Sequence, residues 1–386
     1  MDPEHALGLV DQLAAFSKLA GRQRVSDWLA LADPERAMAL AATMEPGRER
    51  ERLEHSAASN LGRIDPVAAI SWIQTRSPVP LPLLESILRG VAEVDFDQAI
   101  EVVTALPPGV DRDRIQDTVL MSSAVNSIEG ALSAANFIMA NETDSERIAE
   151  SVYRLTSVWS MADAESAVDW LLVNNVEVDN RTFRTIGERL GEQNGSLAAS
   201  YTARIPEGAR PDWVAAVGEG YAKANPADAL AWVTPFAGDS RYDGGVAVVA
   251  EQLAANNARA AASLLDLVQS DTAAAISATA ATAGALAAED YSLATSWALN
   301  MPPGARRDAS LVMLVSASDT GGTPEPALFD AIQSERAKQQ AMFVSIASIA
   351  RRDRAAAEVL LEEQLTDPSL RAQAELILNG TILDLP

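Results

Sequence analysis

A single landmark recurs along this chain about every 32 residues: Asp or Asn, often followed by Pro, then Ala four residues on and an aromatic or aliphatic residue three beyond that. The cleanest copies are Asp65-Pro66 with Ala69 and Trp72, Asp163 with Ala167 and Trp170, Asn225-Pro226 with Ala229 and Trp232, and Asp290 with Ala294 and Trp297. Weaker copies start at Asp33, Asp95, Gly130, Asn194, Asn257, Thr323 and Asp353, so that eleven landmarks follow one another at intervals of 30 to 35 residues. Self-similarity at this period belongs to stacked repeats, whose units cannot bury a core alone and must lean on their neighbours.

The landmark is a helix start. An Asp or Asn side chain accepts hydrogen bonds from the free N–H groups of a first turn, and Pro next to it lacks the N–H that would go unpaired. The apolar residues that follow, such as Ala69, Ile70, Trp72 and Ile73, fall on one face at helical spacing. About a dozen residues later the helix is expected to stop at a Pro/Gly turn, plainest in Met44-Glu45-Pro46-Gly47, Leu106-Pro107-Pro108-Gly109, Ile205-Pro206-Glu207-Gly208 and Met301-Pro302-Pro303-Gly304. A second helix then begins, with stripes such as Val152, Leu155 and Trp159, or Val246, Val249 and Leu253. Two helices and two short loops fill the period, and such short connections make neighbouring helices antiparallel.

These features predict an all-α chain: one domain over 1–386, wound as a right-handed superhelix (an α-solenoid) of about ten or eleven antiparallel hairpins. Residues 1–32 read as an N-terminal capping hairpin, 33–366 as repeats, and 367–386 as a C-terminal capping helix and tail, started by Asp367-Pro368 and stopped by Asn379-Gly380. Gly321-Gly322 beside Thr323-Pro324 reads as a flexible joint within the array.

The segment Asp95-Phe96-Asp97-Gln98-Ala99-Ile100-Glu101 followed by Leu106-Pro107 resembles the second helix of a tetratricopeptide repeat, and Asp290-Tyr291 with Ala294 and Trp297 is similar. The first-helix pattern of that family, Trp-x-x-Leu-Gly-x-x-Tyr, has no counterpart in Arg112 to Val125 or Arg306 to Ala317. The resemblance is therefore to a TPR-like helical array. It implies binding of a protein or peptide along an inner, concave face.

Composition narrows the classes of function. A net charge of -24 opposes binding to nucleic acid and anionic membrane, both of which require clustered Lys and Arg. With no cysteine there is no thiolate nucleophile, disulfide or cysteine-ligated metal, and His5 and His55 are too far apart in sequence for a local metal cluster or catalytic pair. No phosphate-binding loop, dinucleotide fingerprint, His-Glu-x-x-His or nucleophile elbow is present. The reading is of a non-catalytic scaffold, with no cofactor or metal and no direct membrane insertion. An extracytoplasmic, periplasmic location is expected if a leader has been removed, with the cytoplasm as the alternative.

An arginine stands sixteen or seventeen residues after six landmarks: Arg50, Arg112, Arg147, Arg210, Arg241 and Arg306. One explanation is a clip, each guanidinium pairing with a landmark Asp or a helix C-terminus, because a feature repeated in every unit serves the stacking that every unit shares. The other is a ladder in the groove that grips acidic or C-terminal carboxylate groups of a partner by forked hydrogen bonds. Arg112, Arg147, Arg210, Arg241 and Arg306 are the candidate partner-binding residues.

The aromatic slot of Trp72, Phe137, Trp170, Tyr201, Trp232 and Trp297 admits Leu40, Val102, Leu264 and Leu360, and is read as a packing site. Trp28, Trp159 and Trp213 lie outside that register and are candidates for an interface, although Trp159 continues a core stripe. The connection from Thr234 to Gly245 reads as a turn with two exposed rings. Two other classes of function stay open: a carbohydrate-active α/α-toroid working through paired carboxylates, and a self-assembling structural spacer.

Overall fold

A computed structural model describes residues 15–125, 127–317 and 326–379. Thr323, the Gly321-Gly322 joint, the first half of the expected N-terminal hairpin, His5 and Gly380 lie outside them. Among the described residues the chain is all-helical, with no strand. Its contacts divide it into two compact units, Met1–Thr182 and Phe183–Pro386.

The first unit contains α1 (Ala15–Ala32), α2 (Pro34–Thr43), α3 (Arg48–Ile64), α4 (Pro66–Gln74), α5 (Leu81–Ala92), α6 (Phe96–Thr104), α7 (Val110–Ser123), α8 (Ile128–Asn141) and α9 (Ser145–Asn174). The helix α10 (Asn180–Tyr201) carries the chain into the second unit. There follow α11 (Arg210–Ala224), α12 (Pro226–Val233), α13 (Asp243–Ala254), α14 (Ala258–Leu265), α15 (Ala273–Glu289) and α16 (Tyr291–Asn300). The unit ends with α17 (Ala305–Ala317), α18 (Pro326–Ala331), α19 (Glu335–Ala350), α20 (Arg354–Gln364) and α21 (Pro368–Leu378).

The landmarks are joints of one geometry. Asp33, Asp65, Asp95, Asp163, Asn194, Asn225, Asn257, Asp290 and Asp353 all have φ between −141° and −155° and ψ between 71° and 99°. In each, the side-chain oxygen accepts from the N–H three residues on, at 2.9–3.4 Å. At Asp65, Asp95, Asn225, Asn257, Asp290 and Asp353 the residue's own N–H also donates to the carbonyl four residues back, at 2.7–2.8 Å. One residue therefore closes one helix and opens the next, and the loop expected between them is absent. At Asp163 and Asn194 the two helices run on as α9 and α10 with only this residue out of helical conformation. A cap of this kind stabilises by about 1 kcal/mol.

Gly130 is the exception, because it has no side chain with which to cap. The helix there starts a turn earlier at Ser127, whose Oγ accepts from Gly130 N at 2.9 Å. The repeat register survives: Ala134 is fully buried and Phe137 packs edge-on against Phe96, centroids 6.0 Å apart.

Within each unit the second helices of the hairpins, most of which end at landmarks, pack on one another in series. In the first unit α3 lies on α5 and α5 on α7; in the second, α11 on α13, then α15, α17, α19 and α21. The helices that begin at landmarks flank this series, each touching the helix before and after it, as α4 touches α3 and α5. Close approach in the series comes from missing side chains. A Cβ on Gly90 would collide with the Ser59 carbonyl and one on Gly62 with the Ile87 carbonyl, so α3 and α5 meet backbone to backbone.

Three expectations about aromatics change. Trp159 and Trp213 are not interface residues: both are fully buried, Trp213 against the bare backbone of Gly187 and Trp159 against Trp170. Of the three out-of-register tryptophans, Trp28 alone is exposed. The Thr234–Gly245 connection is not a turn with two exposed rings. It folds as two short 3-10 turns whose rings continue a file from Tyr221 through Trp232 and Phe236 to Tyr242, which is buried.

Candidate binding cleft and the arginine row

In the second unit a depression of about 780 Å³ forms where α16 ends. Asp290 starts that helix, which places Trp297 two turns in, on the side of α14. The Trp297 indole N–H donates to Asp266 Oδ1 at 2.9 Å, and Asp266 is the residue that ends α14. The aromatic slot thus reaches back to the preceding repeat, as at Trp170, whose Nε1 faces Asn136 Oδ1 at 3.5 Å. After α16 the chain turns extended at Met301 into Pro302 and Pro303, which form a wall with Asn300.

Arg306 forms the floor. From the first turn of α17 its guanidinium donates to the carbonyls of Leu265 and Val268 and to Thr279 Oγ1, tying three segments together. Burial pushes this guanidinium below its ordinary value, against the opposing fields of Asp271, Asp243 and Asp266. It stays protonated, since arginine's intrinsic basicity leaves a wide margin. Asp271 Oδ2 accepts from Ala305 N at 2.9 Å, and a Cβ on Gly304 would lie 2.7 Å from that oxygen, which explains the glycine. Each cleft carboxylate thus has a structural donor on one oxygen, Trp297 for Asp266 and Ala305 for Asp271.

The first unit has a smaller depression of about 260 Å³ beside the same slot. Trp72 carries the Arg76 guanidinium 4.1 Å over its ring, with Pro80 and Pro82 adjoining. His55 Nδ1 lies 2.7 Å from Ser86 Oγ, and Ser86 donates to the Pro82 carbonyl at 3.1 Å.

The arginine row divides by partner. Arg50 reaches the Met44 carbonyl and pairs with Glu54; Arg210 donates to the Ile205 carbonyl at 3.1 Å; Arg306 takes the two carbonyls named above. These three close the ends of helices or the turns that follow them. Arg371, which the repeat count missed, does the same to Leu361 and Leu365 at 2.8 Å each. Arg147 pairs with Glu142 at 3.1 Å on the surface. Arg241 bridges Glu207 and Asp239; hydrogen bonding to Asp239 raises the guanidinium above its ordinary value and depresses the carboxyl below its own. Arg112 is half-buried and makes no hydrogen bond or ion pair with another described residue.

Two functional-looking groups were invisible in the sequence. Asp243 and Asp308 are buried carboxylates at the starts of α13 and α17. Asp243 Oδ2 accepts from the N–H groups of Gln269 and Ser270 at 3.0 and 2.8 Å; Asp308 accepts from Gln333 and Ser334 at the same distances. The Arg-x-Asp spacing shared by Arg241/Asp243 and Arg306/Asp308 was the available signal. It marks stitching between repeats, not chemistry.

Among the described residues no group of three His, Asp or Glu is placed to hold a metal ion, and no helix is long and apolar enough to cross a membrane. Comparison with known proteins finds no matching family model, no similar curated protein and no similar solved structure.

Proposed function

We propose that this chain is a non-catalytic scaffold, a TPR-like superhelix of helical hairpins that binds a segment of another protein. Support for the superhelix comes from the two layers: the helices that end at landmarks approach one another at Gly62, Gly90, Gly218 and Gly245, while the flanking helices carry bulky residues in the slot. Two layers of unequal spacing bend a stack toward the tighter one.

The observation that carries the binding reading is the cleft beside Trp297. A half-exposed indole, two consecutive prolines and an amide at the rim offer apolar contact with directional polar groups, the pattern of a peptide site. Arg306 holds the cleft from beneath and does not itself contact the partner. Arg112, Arg147 and Arg241 are the members of the row whose guanidinium groups are not spent on backbone carbonyls; Arg241 is already held by two carboxylates, so Arg112 and Arg147 are where an acidic or C-terminal carboxylate group would attach.

A photo-crosslinking residue in place of Asn300, in the full chain irradiated inside its own cell, tests this reading. One reproducible protein adduct, lost in Trp297→Ala without a change in melting temperature, is expected. No adduct, or an adduct indifferent to Trp297→Ala, overturns the cleft. Turnover of a polysaccharide panel that requires Trp297 replaces binding by catalysis.

A further inference from the structure

The joint edge of the first unit carries a row of aliphatic side chains that face water. Ile64 is 58% exposed, Val67 64%, Val94 55%, Val125 44% and Ile128 47%. Ile64 and Val94 immediately precede landmarks, Val67 lies two residues after one, and Val125 and Ile128 flank the displaced cap Ser127. The joints that carry them are adjacent in the stack. The backbone of Arg63 lies against Gly90, one turn before Val94, and the 94–97 and 127–133 joints share one depression of about 170 Å³. Folding gains nothing from leaving this row in solvent, and contiguous exposed apolar surface of this kind marks a place of contact.

The second unit supplies an internal control. Its joints hold Ala224 and Ala227, Asn256 and Arg259, Glu289 and Ser292, and Arg352 and Ala355 at the same two positions. Arg259 and Glu289 face each other across adjacent joints at 3.9 Å. Their counterparts across adjacent joints in the first unit are Val67 and Val94. Asp65 and Asp95 share the backbone geometry of the second unit's joints, and the first unit's own joints at Asp33 and Asp163 hold Ala32 with Glu35 and Ala162 with Glu165, so that geometry does not require aliphatic residues; the middle of the first unit carries them for another reason.

Charge names the occupant. Glu93, Asp95, Asp97 and Glu129 surround the depression that holds Val94, on a chain whose net charge is -24. An apolar strip rimmed by carboxylates complements a segment with aliphatic residues on one side and Lys or Arg on the other, and repels anionic lipid. We propose that this edge docks a cationic amphipathic segment of a partner protein. The proposal rests on the scaffold reading but uses a surface in the other unit from the Trp297 cleft.

The test is fluorescence anisotropy on the full chain with a synthetic amphipathic helix, leucines on one face and lysines on the other. Binding is expected, weakened on the order of tenfold or more by Val67→Arg with Val94→Glu, which installs the second unit's own pair, and likewise by Ile64→Ser with Ile128→Ser. A peptide with glutamate for lysine is expected to lose binding similarly, while Trp297→Ala leaves affinity unchanged. That last arm separates this edge from the cleft. No binding, an affinity in either double variant equal to that of the unsubstituted chain, or equal affinity for the glutamate and lysine peptides overturns the proposal. So does a concentration-dependent dimer that Val67→Arg with Val94→Glu dissolves, because a second copy then covers the edge.

Discussion

Both units join repeats by surface ion pairs, Arg241 with Glu207 being one in the second, but among the described residues only the second adds side chains that take backbone N–H groups of the next repeat. In the first, consecutive landmark-ending helices are linked by surface ion pairs: Arg114 with Glu85, Arg154 with Asp117 at 2.8 Å, and Arg181 with Glu150. In the second, side chains near the starts of α13, α17 and α19 accept backbone N–H groups of the turn one repeat on, from Asp243, Asp308 and Gln339. Ion pairs in water contribute little and weaken with salt. Buried carboxylates on backbone donors are not screened and leave unpaired groups behind when removed. One repeat plan thus tolerates two kinds of seam, and the seams predict where each unit is vulnerable.

The largest effect tests the cores that the seams enclose. Trp159→Ala in the first unit and Trp213→Ala in the second each destabilise by about 4 kcal/mol, since both rings are fully buried. Replacement by Phe separates them. Trp213 Nε1 donates to the Ala198 carbonyl at 3.3 Å, whereas Trp159 Nε1 finds no acceptor among the described residues. Urea unfolding should show Trp159→Phe costing less than Trp213→Phe; equal costs break that distinction.

A smaller difference is expected between the two buried carboxylates. Asp308 uses one oxygen for each N–H, so Asp308→Asn turns an amide NH₂ against a backbone donor and costs about 2–3 kcal/mol. Asp243 carries both bonds on Oδ2 and leaves Oδ1 without a partner, so Asp243→Asn keeps both bonds and costs about 1 kcal/mol. Thermal unfolding of both variants checks the order, and a reversal would show that the orphan oxygen of Asp243 matters more than its bonds.

Least of all is expected from the first unit's seam. Arg154→Ala should cost below about 1 kcal/mol, and the cost should vanish in molar salt. A loss that persists at high salt would mean that the first unit is held by the arginine's packing and not by its charge, and the contrast between the seams would narrow.

Much of the fold was legible because the joints are local. A cap links a side chain to an N–H three residues away, so Asp65-Pro66 or Asn225-Pro226 announces a helix start whatever surrounds it. The candidate cleft was legible only in part. Trp297 stood out as a repeated position, but its bond to Asp266 spans a repeat boundary, and a slot shared with leucine reads as packing. Trp159 and Trp213 fell outside the landmark register because they belong to the other helix of each hairpin. Their burial depends on what faces them, above all on Gly187 leaving room for the Trp213 ring. The exposed row at Ile64, Val94 and Ile128 was hidden for the opposite reason: aliphatic residues in a helical chain are assigned to the core until the fold leaves them outside.

By itself the sequence determined the helices, their starts and stops, and the period at which they recur, since these follow from hydrogen bonds and backbone preferences within a few residues. Only the tertiary structure decided which arginines clip carbonyls, which carboxylates are buried, and which apolar residues stay in water. Those outcomes turn on partners a full repeat away, and no local pattern records a distance between side chains some thirty residues apart.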